Sequence, residues 1–214
     1  MSLTNVFLVR HGETEYNRRN QIQGRGIDAP LNNRGRQQAR AVAQHLKEQE
    51  LHHIFSSSLK RSRETAECIA QACSLTVEPH GELDEMDFGV LEGRSITEIE
   101  TELQQLQHHW KSGNVDFAFE RAESPRIVLK RAATRAEQII RERTNSNMLF
   151  VLHGRLIRIL LAHWLKRGLS SMHQIAHSNA SLYHLQWDGE QFEAVYLNNT
   201  DHLQDDQHQA NVGS

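Results

Sequence analysis

The chain has 214 residues and a formal net charge of -3 at pH 7. Hydrophobic residues make up 38% of it and charged residues 24%, a composition that excludes an integral membrane protein and a disordered chain. The nearly balanced charge gives no basic field for nucleic acid, and the two cysteines are not spaced as a redox or zinc motif. Because the N-terminal segment lacks the pattern of an export signal, we expect a cytoplasmic protein.

Short apolar runs alternate with amphipathic segments through the first third of the chain. A nearly continuous apolar run at 5–9 predicts a strand that is buried on both faces. The elements predicted next are a helix over 34–48, a strand at 54–55, a helix over 59–73 and a strand at 75–77. This alternation is typical of a parallel sheet with helices on its faces.

The alternation is interrupted between 79 and 123, where one amphipathic helix is predicted over 96–110. An insertion of this kind, here about 90–123, is typical of a lid that shapes a substrate site. The following elements are a helix from Ser124 to about Arg143, a buried strand at 148–152, an apolar helix ending near Gly168, and strands at 181–187 and 191–197. The Asp-Gly step between the last two strands predicts an antiparallel hairpin. We expect one domain over residues 1–200 and a polar, disordered tail over 201–214.

Two of the predicted strands end in a His-Gly step, one at His11 and the other at His153. Ligands of parallel α/β sheets bind beyond the carboxyl ends of the strands, so neighbouring strands would direct both histidines into one crevice. Arg10 and Arg61 also follow strands and can reach that edge. A single His-Gly step is an ordinary turn, but two imidazoles and two guanidiniums together indicate an anion site that holds a nucleophile.

The segments LVRHGETEYN, IQGRGIDAPLNNRGRQQA, SSSLKRSRETA, LDEMDFGVLEG and VLHGRLIRILL resemble, in that order, the motifs of the histidine phosphatase superfamily, also called phosphoglycerate-mutase-like. The resemblance runs from Leu8 to about Leu197. It implies a three-layer α/β/α sandwich around a mostly parallel sheet, which agrees with the predicted elements. It also implies that His11 is the nucleophile that becomes phosphohistidine. The phosphoryl oxygens would be held by Arg10, Arg61 and His153, and Glu85 would be the proton donor to the leaving group.

Further residues are expected to border the substrate, from their places in or beside these motifs: Gly12, Thr14, Asn17, Gln23, Gly24 and Phe88. No metal or other cofactor is expected, because the arginines and a protonated His153 can stabilise the charge that Mg²⁺ stabilises in other phosphoryl-transfer enzymes. The expected partner is a small phosphorylated metabolite, with neither nucleic acid nor a membrane involved. The chain is expected to be a monomer or a homodimer.

Three functions fit the motifs: a phosphatase, a mutase that uses a bisphosphate primer, and a non-catalytic module that binds phosphorylated ligands. The third is disfavoured because each expected catalytic position holds a competent residue. Mutase relatives carry a basic, tyrosine-rich segment after the acid, whereas this chain continues from Glu85 as Met-Asp-Phe-Gly, which favours the phosphatase. Should Glu85 not be the acid, Asp84 and Asp87 are the nearest alternatives.

The sequence leaves the roles of two features open. Arg155 stands where relatives often have glycine, and it either adds a cation to the site or points to solvent. The aromatic residues Trp110, Phe117 and Phe119 either line the cleft or pack within the insertion.

Overall fold

Within residues 3–203, which the computed structural model describes, six strands form one sheet. The strands are β1 (Thr4–Arg10), β2 (His53–Ser57), β3 (Val77–His80), β4 (Asn147–Leu152), β5 (Leu182–Trp187) and β6 (Phe192–Asn199). Their order across the sheet is β3-β2-β4-β1-β5-β6. The first four strands are parallel, β5 is antiparallel to β1, and β6 is antiparallel to β5. The predicted parallel sheet ending in an antiparallel hairpin is confirmed.

Helices cover both faces of this sheet. They are α1 (Glu15–Arg18), α2 (Asn33–Leu46), α3 (Lys60–Cys73), α4 (Glu100–Lys111), α5 (Pro125–Glu142) and α6 (Gly154–Trp164). Successive side chains of β1 point to opposite faces, so Phe7 and Val9 pack with α2 and α3, while Val6 and Leu8 pack with α5 and α6. This is the predicted three-layer sandwich, and it explains why β1 is apolar without alternation.

The predicted position of the third strand is wrong. The sequence indicates a strand at 75–77, but β3 begins at Val77 and lies at the edge of the sheet. Leu75 belongs to the turn that ends α3, since its N–H donates to the Ala70 carbonyl at 3.0 Å. The apolar character of Leu75 therefore reflects packing under α3 and not pairing in the sheet.

Helix boundaries also differ from prediction. The helix predicted over 96–110 starts at Glu100, and the apolar helix predicted to end near Gly168 ends at Trp164. The N-terminus of α5 is as predicted, because the Ser124 hydroxyl accepts the N–H of Ile127. No helix among residues 3–203 is both long enough and apolar enough to cross a membrane.

The insertion is packed against the main core. In α4, Leu106 and Trp110 are buried in the same hydrophobic cluster as α5 and α6. The Trp110 indole N–H donates to the Phe117 carbonyl at 2.9 Å, and the rings of Phe117 and Phe119 meet edge to face. These aromatic residues therefore pack within the insertion. Its role as a lid stays a prediction.

The prediction of a polar, disordered tail from Asp201 is wrong for its first three residues. Residues 201–203 form a 3-10 turn in which His202 is buried. The His202 Nε2–H donates to the Ala180 carbonyl at 2.9 Å, which fixes this turn beside the start of β5. Residues 204–214 lie outside the described part of the chain.

A glycine in α2 allows the segment after β1 to approach the helix closely. A Cβ on Gly35 would lie 2.1 Å from the Glu13 carbonyl oxygen, so Gly35→Ala forces backbone apart. We expect a loss of about 1–3 kcal/mol in the free energy of unfolding, measured by urea denaturation. Gly81→Ala is the control, since no heavy atom lies within 4 Å of its added Cβ. Equal stability of the two variants would contradict this account of the packing.

Candidate active site

The two His-Gly steps meet at the carboxyl edge of the sheet. The parallel pairing of β1 with β4 sets Arg10 opposite Leu152, and the His11 N–H donates to the Leu152 carbonyl at 3.0 Å. The ring centroids of His11 and His153 are 5.2 Å apart. The two strands thus bring both imidazoles together, because His11 and His153 each follow the last paired residue of their strand.

Hydrogen bonding defines the tautomer of His11. Its Nδ1 lies 2.7 Å from the Gly12 carbonyl oxygen, which can only accept, so Nδ1 carries the proton. Burial, followed by the charges of Arg61 and Arg10, lowers the pKa of His11 well below its usual value. The ring is therefore neutral near pH 7, and the lone pair of Nε2 is available for attack.

Arg61 and His153 lie beneath this ring and bind each other. The Arg61 Nε–H donates to Nδ1 of His153 at 3.2 Å, and the other ring nitrogen lies 2.6 Å from the Ser57 hydroxyl. An imidazole nitrogen that accepts is unprotonated, and burial together with Arg61 holds the pKa of His153 well below its usual value. The expectation of a protonated His153 is therefore wrong for this structure, in which the ring is a neutral support for Arg61.

Two buried donors that belong to residues of the cleft lack partners. Nε of Arg10 and Nε2 of Gln23 are inaccessible to solvent and have no acceptor within residues 3–203. Gln23 is oriented by the Thr14 hydroxyl, which donates to its Oε1 at 2.7 Å and so occupies the amide oxygen. An unpaired buried donor costs free energy, so these two groups favour an acceptor in the cleft.

Glu85 is held on the other wall by backbone groups. Its Oε1 accepts the N–H groups of Met86 and Leu156, at 2.8 and 3.0 Å, and its Oε2 accepts the N–H of Arg155 at 3.0 Å. Two of these donors belong to the first turn of α6, directly after His153. Since Oε2 accepts a single N–H, it is the oxygen better placed to carry a transferable proton.

The loop that carries Glu85 is clamped by Arg131 of α5. This guanidinium donates to the carbonyls of Glu82, Asp84 and Glu85 and forms a bidentate ion pair with Glu123, with both N···O distances 2.7 Å. Glu123 in turn exchanges hydrogen bonds with the backbone of Asp87: its carboxylate accepts the Asp87 N–H at 3.0 Å, and its own N–H donates to the Asp87 carbonyl at 2.9 Å. The two ends of the insertion are thereby joined to each other and to α5.

The carboxylates of the two alternative acids, Asp84 and Asp87, are hydrogen-bonded to other groups. Asp84 accepts from the N–H and hydroxyl of Ser58 and lies 3.4 Å from Arg25. The Asp87 carboxylate accepts the Gly89 N–H at 2.7 Å. Of the three acidic side chains, Glu85 alone is among the described residues that line the cleft.

A cleft of about 370 Å³ opens beside these groups. Five predicted site residues line it: Arg10, Asn17, Gln23, Glu85 and Phe88. The Oδ1 atom of Asn17 accepts from Thr14 and from the Asn179 amide, so its own amide nitrogen is the atom left to donate to a ligand.

The structure gives positioning contacts to three residues expected to border the substrate. The Gly12 N–H donates to Thr65, and its carbonyl fixes His11. Thr14 is fully buried and orients Asn17 and Gln23. The Gly24 carbonyl accepts from Arg61 at 3.1 Å. These contacts act on other site residues and are not directed to the cleft.

Sequence reasoning missed several residues of the cleft. His177 and Asn179 line it, and the Asn179 amide donates to the carbonyl of His11 at 3.2 Å. Partial burial and then the charge of Arg10 lower the pKa of His177. The available signal was the polar run before β5: because β5 is antiparallel to β1, its beginning pairs with the end of β1. Ser57 was also missed.

Among residues 3–203, no group of three or more His, Cys, Asp or Glu could hold a metal ion.

Comparison with known proteins assigns the family. Residues 6–200 match the family model described as histidine phosphatase superfamily (branch 1). The chain belongs to the histidine phosphatase superfamily. Its resemblance in the RHG, SSxLxR and HG motifs is therefore confirmed, and the protein is an enzyme of the histidine phosphatase type.

Relatives within this superfamily carry different names. A protein of Escherichia coli O1:K1 named "Probable phosphoglycerate mutase GpmB" is 40% identical over 149 residues, which are 70% of this chain and 69% of the relative. A mycobacterial glucosyl-3-phosphoglycerate phosphatase aligns with a TM-score of 0.84 at 25% identity, over 92% of this chain and 99% of the other. Phosphoserine phosphatase from Entamoeba histolytica aligns with a TM-score of 0.83 at 27% identity, over 94% and 99%.

The lowered pKa of buried His11 predicts a pH dependence of stability. Below its usual pKa of about 6.5, the unfolded histidine binds a proton that the folded one excludes, so stability falls as pH decreases. We expect His11→Asn to reduce the slope of the unfolding free energy against pH below about 6.5, by at most about 1.4 kcal/mol per pH unit. Urea denaturation at a series of pH values measures it. The exposed His108, changed to Asn, is the control; an unaltered slope in His11→Asn would mean that His11 is charged in the folded protein.

Proposed function

We propose that the protein is a metal-independent phosphatase that hydrolyses a small phosphate monoester through a phosphohistidine intermediate on His11. The observation that carries the proposal is the neutral His11 ring, with Nδ1–H fixed to the Gly12 carbonyl and Nε2 left with its lone pair. Beside it lies Arg10, a buried guanidinium whose Nε lacks an acceptor among residues 3–203. A phosphoryl group supplies both the electrophile that His11 attacks and the anion that Arg10 binds.

The reaction proceeds in two displacements on phosphorus. In the first, Nε2 of His11 attacks, the bond to the ester oxygen breaks, and Glu85 transfers its proton to the departing alcohol. In the second, water attacks the phosphohistidine, Glu85 accepts a proton from that water, and His11 returns to its neutral form as phosphate departs. The charge that develops on the phosphoryl oxygens is stabilised by Arg10 and Arg61, and Arg61 is held in place before the reaction by His153 and by the carbonyls of Ile27 and Gly24.

Residues of the cleft hold the substrate around that centre. The amide nitrogens of Asn17 and Gln23 donate to the phosphoryl group, and Phe88 forms the apolar wall beside Glu85. The volume of about 370 Å³ suits a metabolite of a few carbon atoms.

A mutase is the second candidate, because the curated relative at 40% identity is named a probable phosphoglycerate mutase. In a mutase the phosphoryl group returns from His11 to another hydroxyl. The segment after Glu85 favours hydrolysis, since it lacks the basic, tyrosine-rich pattern that mutase relatives carry after the acid. Analysis of products from phosphoglycerate distinguishes the two: inorganic phosphate supports the phosphatase, and an isomer formed without phosphate release supports the mutase.

The role of His11 predicts loss of turnover and of the covalent intermediate in His11→Ala. We expect the rate with p-nitrophenyl phosphate to fall by about 10³-fold or more, with EDTA present throughout. Brief reaction of the unaltered enzyme with labelled substrate should leave acid-labile, base-stable phosphate on the protein. His108→Ala should retain both rate and label. Label retained in His11→Ala would assign the nucleophile to another residue.

The role of Glu85 predicts that the loss of rate in Glu85→Gln depends on the leaving group of the ester. An alkoxide needs the proton and nitrophenolate does not, so alkyl esters should slow by about 10²–10⁴-fold and p-nitrophenyl phosphate much less. The control is Glu82→Gln, an exposed residue of the same loop. Equal losses on both esters would show that Glu85 only positions phosphate, and Asp84→Asn and Asp87→Asn would then be compared on the same pair.

A further inference from the structure

Arg155 points into the cleft, which decides between the two orientations that the sequence left open. Its side chain lines the cleft together with Glu85 and Gly154, and its Cζ lies 5.0 Å from the centroid of the Trp110 ring. Burial and the nearby Arg158 lower its pKa to about 10, so it stays a cation at neutral pH. The aromatic face of Trp110 covers one face of the guanidinium. The N–H groups lie in the plane of the guanidinium and stay free to donate to a ligand.

The guanidinium of Arg155 has no acceptor of its own. Among residues 3–203 it makes no hydrogen bond and no ion pair, and Trp110 is its sole side-chain contact of this kind. Arg158, one turn along α6, differs because it donates to the carbonyls of Met172 and His173, at 2.9 and 2.6 Å. Among the described residues that line the cleft with Arg155, Glu85 is the one acid, and its two oxygens already accept three backbone N–H groups. A half-buried guanidinium in this state favours an anion from outside the chain.

The position of Arg155 relative to the acid indicates which part of a substrate it meets. The phosphoryl group lies between His11 and Arg10, and Glu85 protonates the oxygen of the alcohol that leaves. The N–H of Arg155 binds Glu85, and its side chain, which lines the cleft, extends from there to the face of Trp110 in α4. The alcohol part of the ester therefore extends past Glu85 toward this guanidinium.

We propose that Arg155, supported by Trp110, binds a second anionic group on the alcohol portion of the substrate, so that the enzyme selects phosphate esters of carboxylic acids or bisphosphates. This inference rests on the proposed function. It gives the insertion a chemical role, since α4 supplies the aromatic face on which the selecting cation rests. Carboxylate and phosphate share the geometry that a guanidinium recognises in a bidentate manner, and the experiment separates them.

Two matched pairs of esters test the proposal. Phosphoserine and phosphoethanolamine differ by one carboxylate, and glycerol bisphosphate and glycerol phosphate differ by one phosphate. We expect kcat/KM to favour the more anionic member of at least one pair by about tenfold or more, the size of a charge-assisted hydrogen-bond pair. Arg155→Gln should abolish this preference while the less anionic ester changes little, because the backbone N–H that holds Glu85 is retained.

Variants separate recognition from structure. Arg155→Lys keeps a positive charge and should keep part of the preference. Arg40→Gln removes one charge from an exposed residue of α2 outside the cleft and should change nothing. A structural role alone would lower kcat/KM equally for both members of each pair. Preferences below about twofold, in an enzyme that hydrolyses p-nitrophenyl phosphate, would overturn the inference and leave the proposed function standing. Failure to release phosphate from any of these esters would instead contradict the proposed function.

Discussion

Positive charge taken out of water at one end of the sheet governs the chemistry of this region. Arg10 and Arg155 line the cleft and Arg61 lies behind it against His153, while Glu85 is the one acidic residue of the cleft lining among the described residues. Such burial costs free energy, which the hydrophobic clusters on the two faces of the sheet offset. Burial, followed by the charges of Arg61 and Arg10, keeps His11 neutral, so in the proposed reaction one arrangement both attracts a phosphoryl group and prepares the group that attacks it.

Much of this arrangement could be predicted from local sequence, because strand ends in a parallel sheet converge at one edge. The two His-Gly steps, Arg10 and Arg61 follow directly from that rule. His177 and Asn179 did not, since their place depends on the antiparallel direction of β5, which local periodicity does not connect to β1. The protonation of His153 also needed three dimensions: only the structure shows that Arg61 donates to its Nδ1. Similarly, Leu75 is apolar for packing under α3, which a linear pattern cannot distinguish from a strand.

The junction between β4 and α6 links the two halves of the proposed reaction. Gly154 has no room for a side chain, because an added Cβ would lie 2.6 Å from His177 and 3.2 Å from Nε of Arg10. The next two residues offer their N–H groups to Glu85. One short stretch of backbone thus lies against Arg10 and also holds Glu85, the proposed phosphoryl-binding arginine and the proposed acid.

The hydrogen bonds between Asp87 and Glu123, together with the Arg131 clamp, have an evolutionary consequence. They join the two ends of the insertion to each other, and they fix the backbone of Glu85, the proposed acid, to α5 instead of to α4. Residues inside the loop can then be exchanged, lengthened or reshaped while the proposed acid keeps its distance from the proposed nucleophile. A fold built in this way can acquire new substrates by replacing one segment, while the proposed reaction is kept.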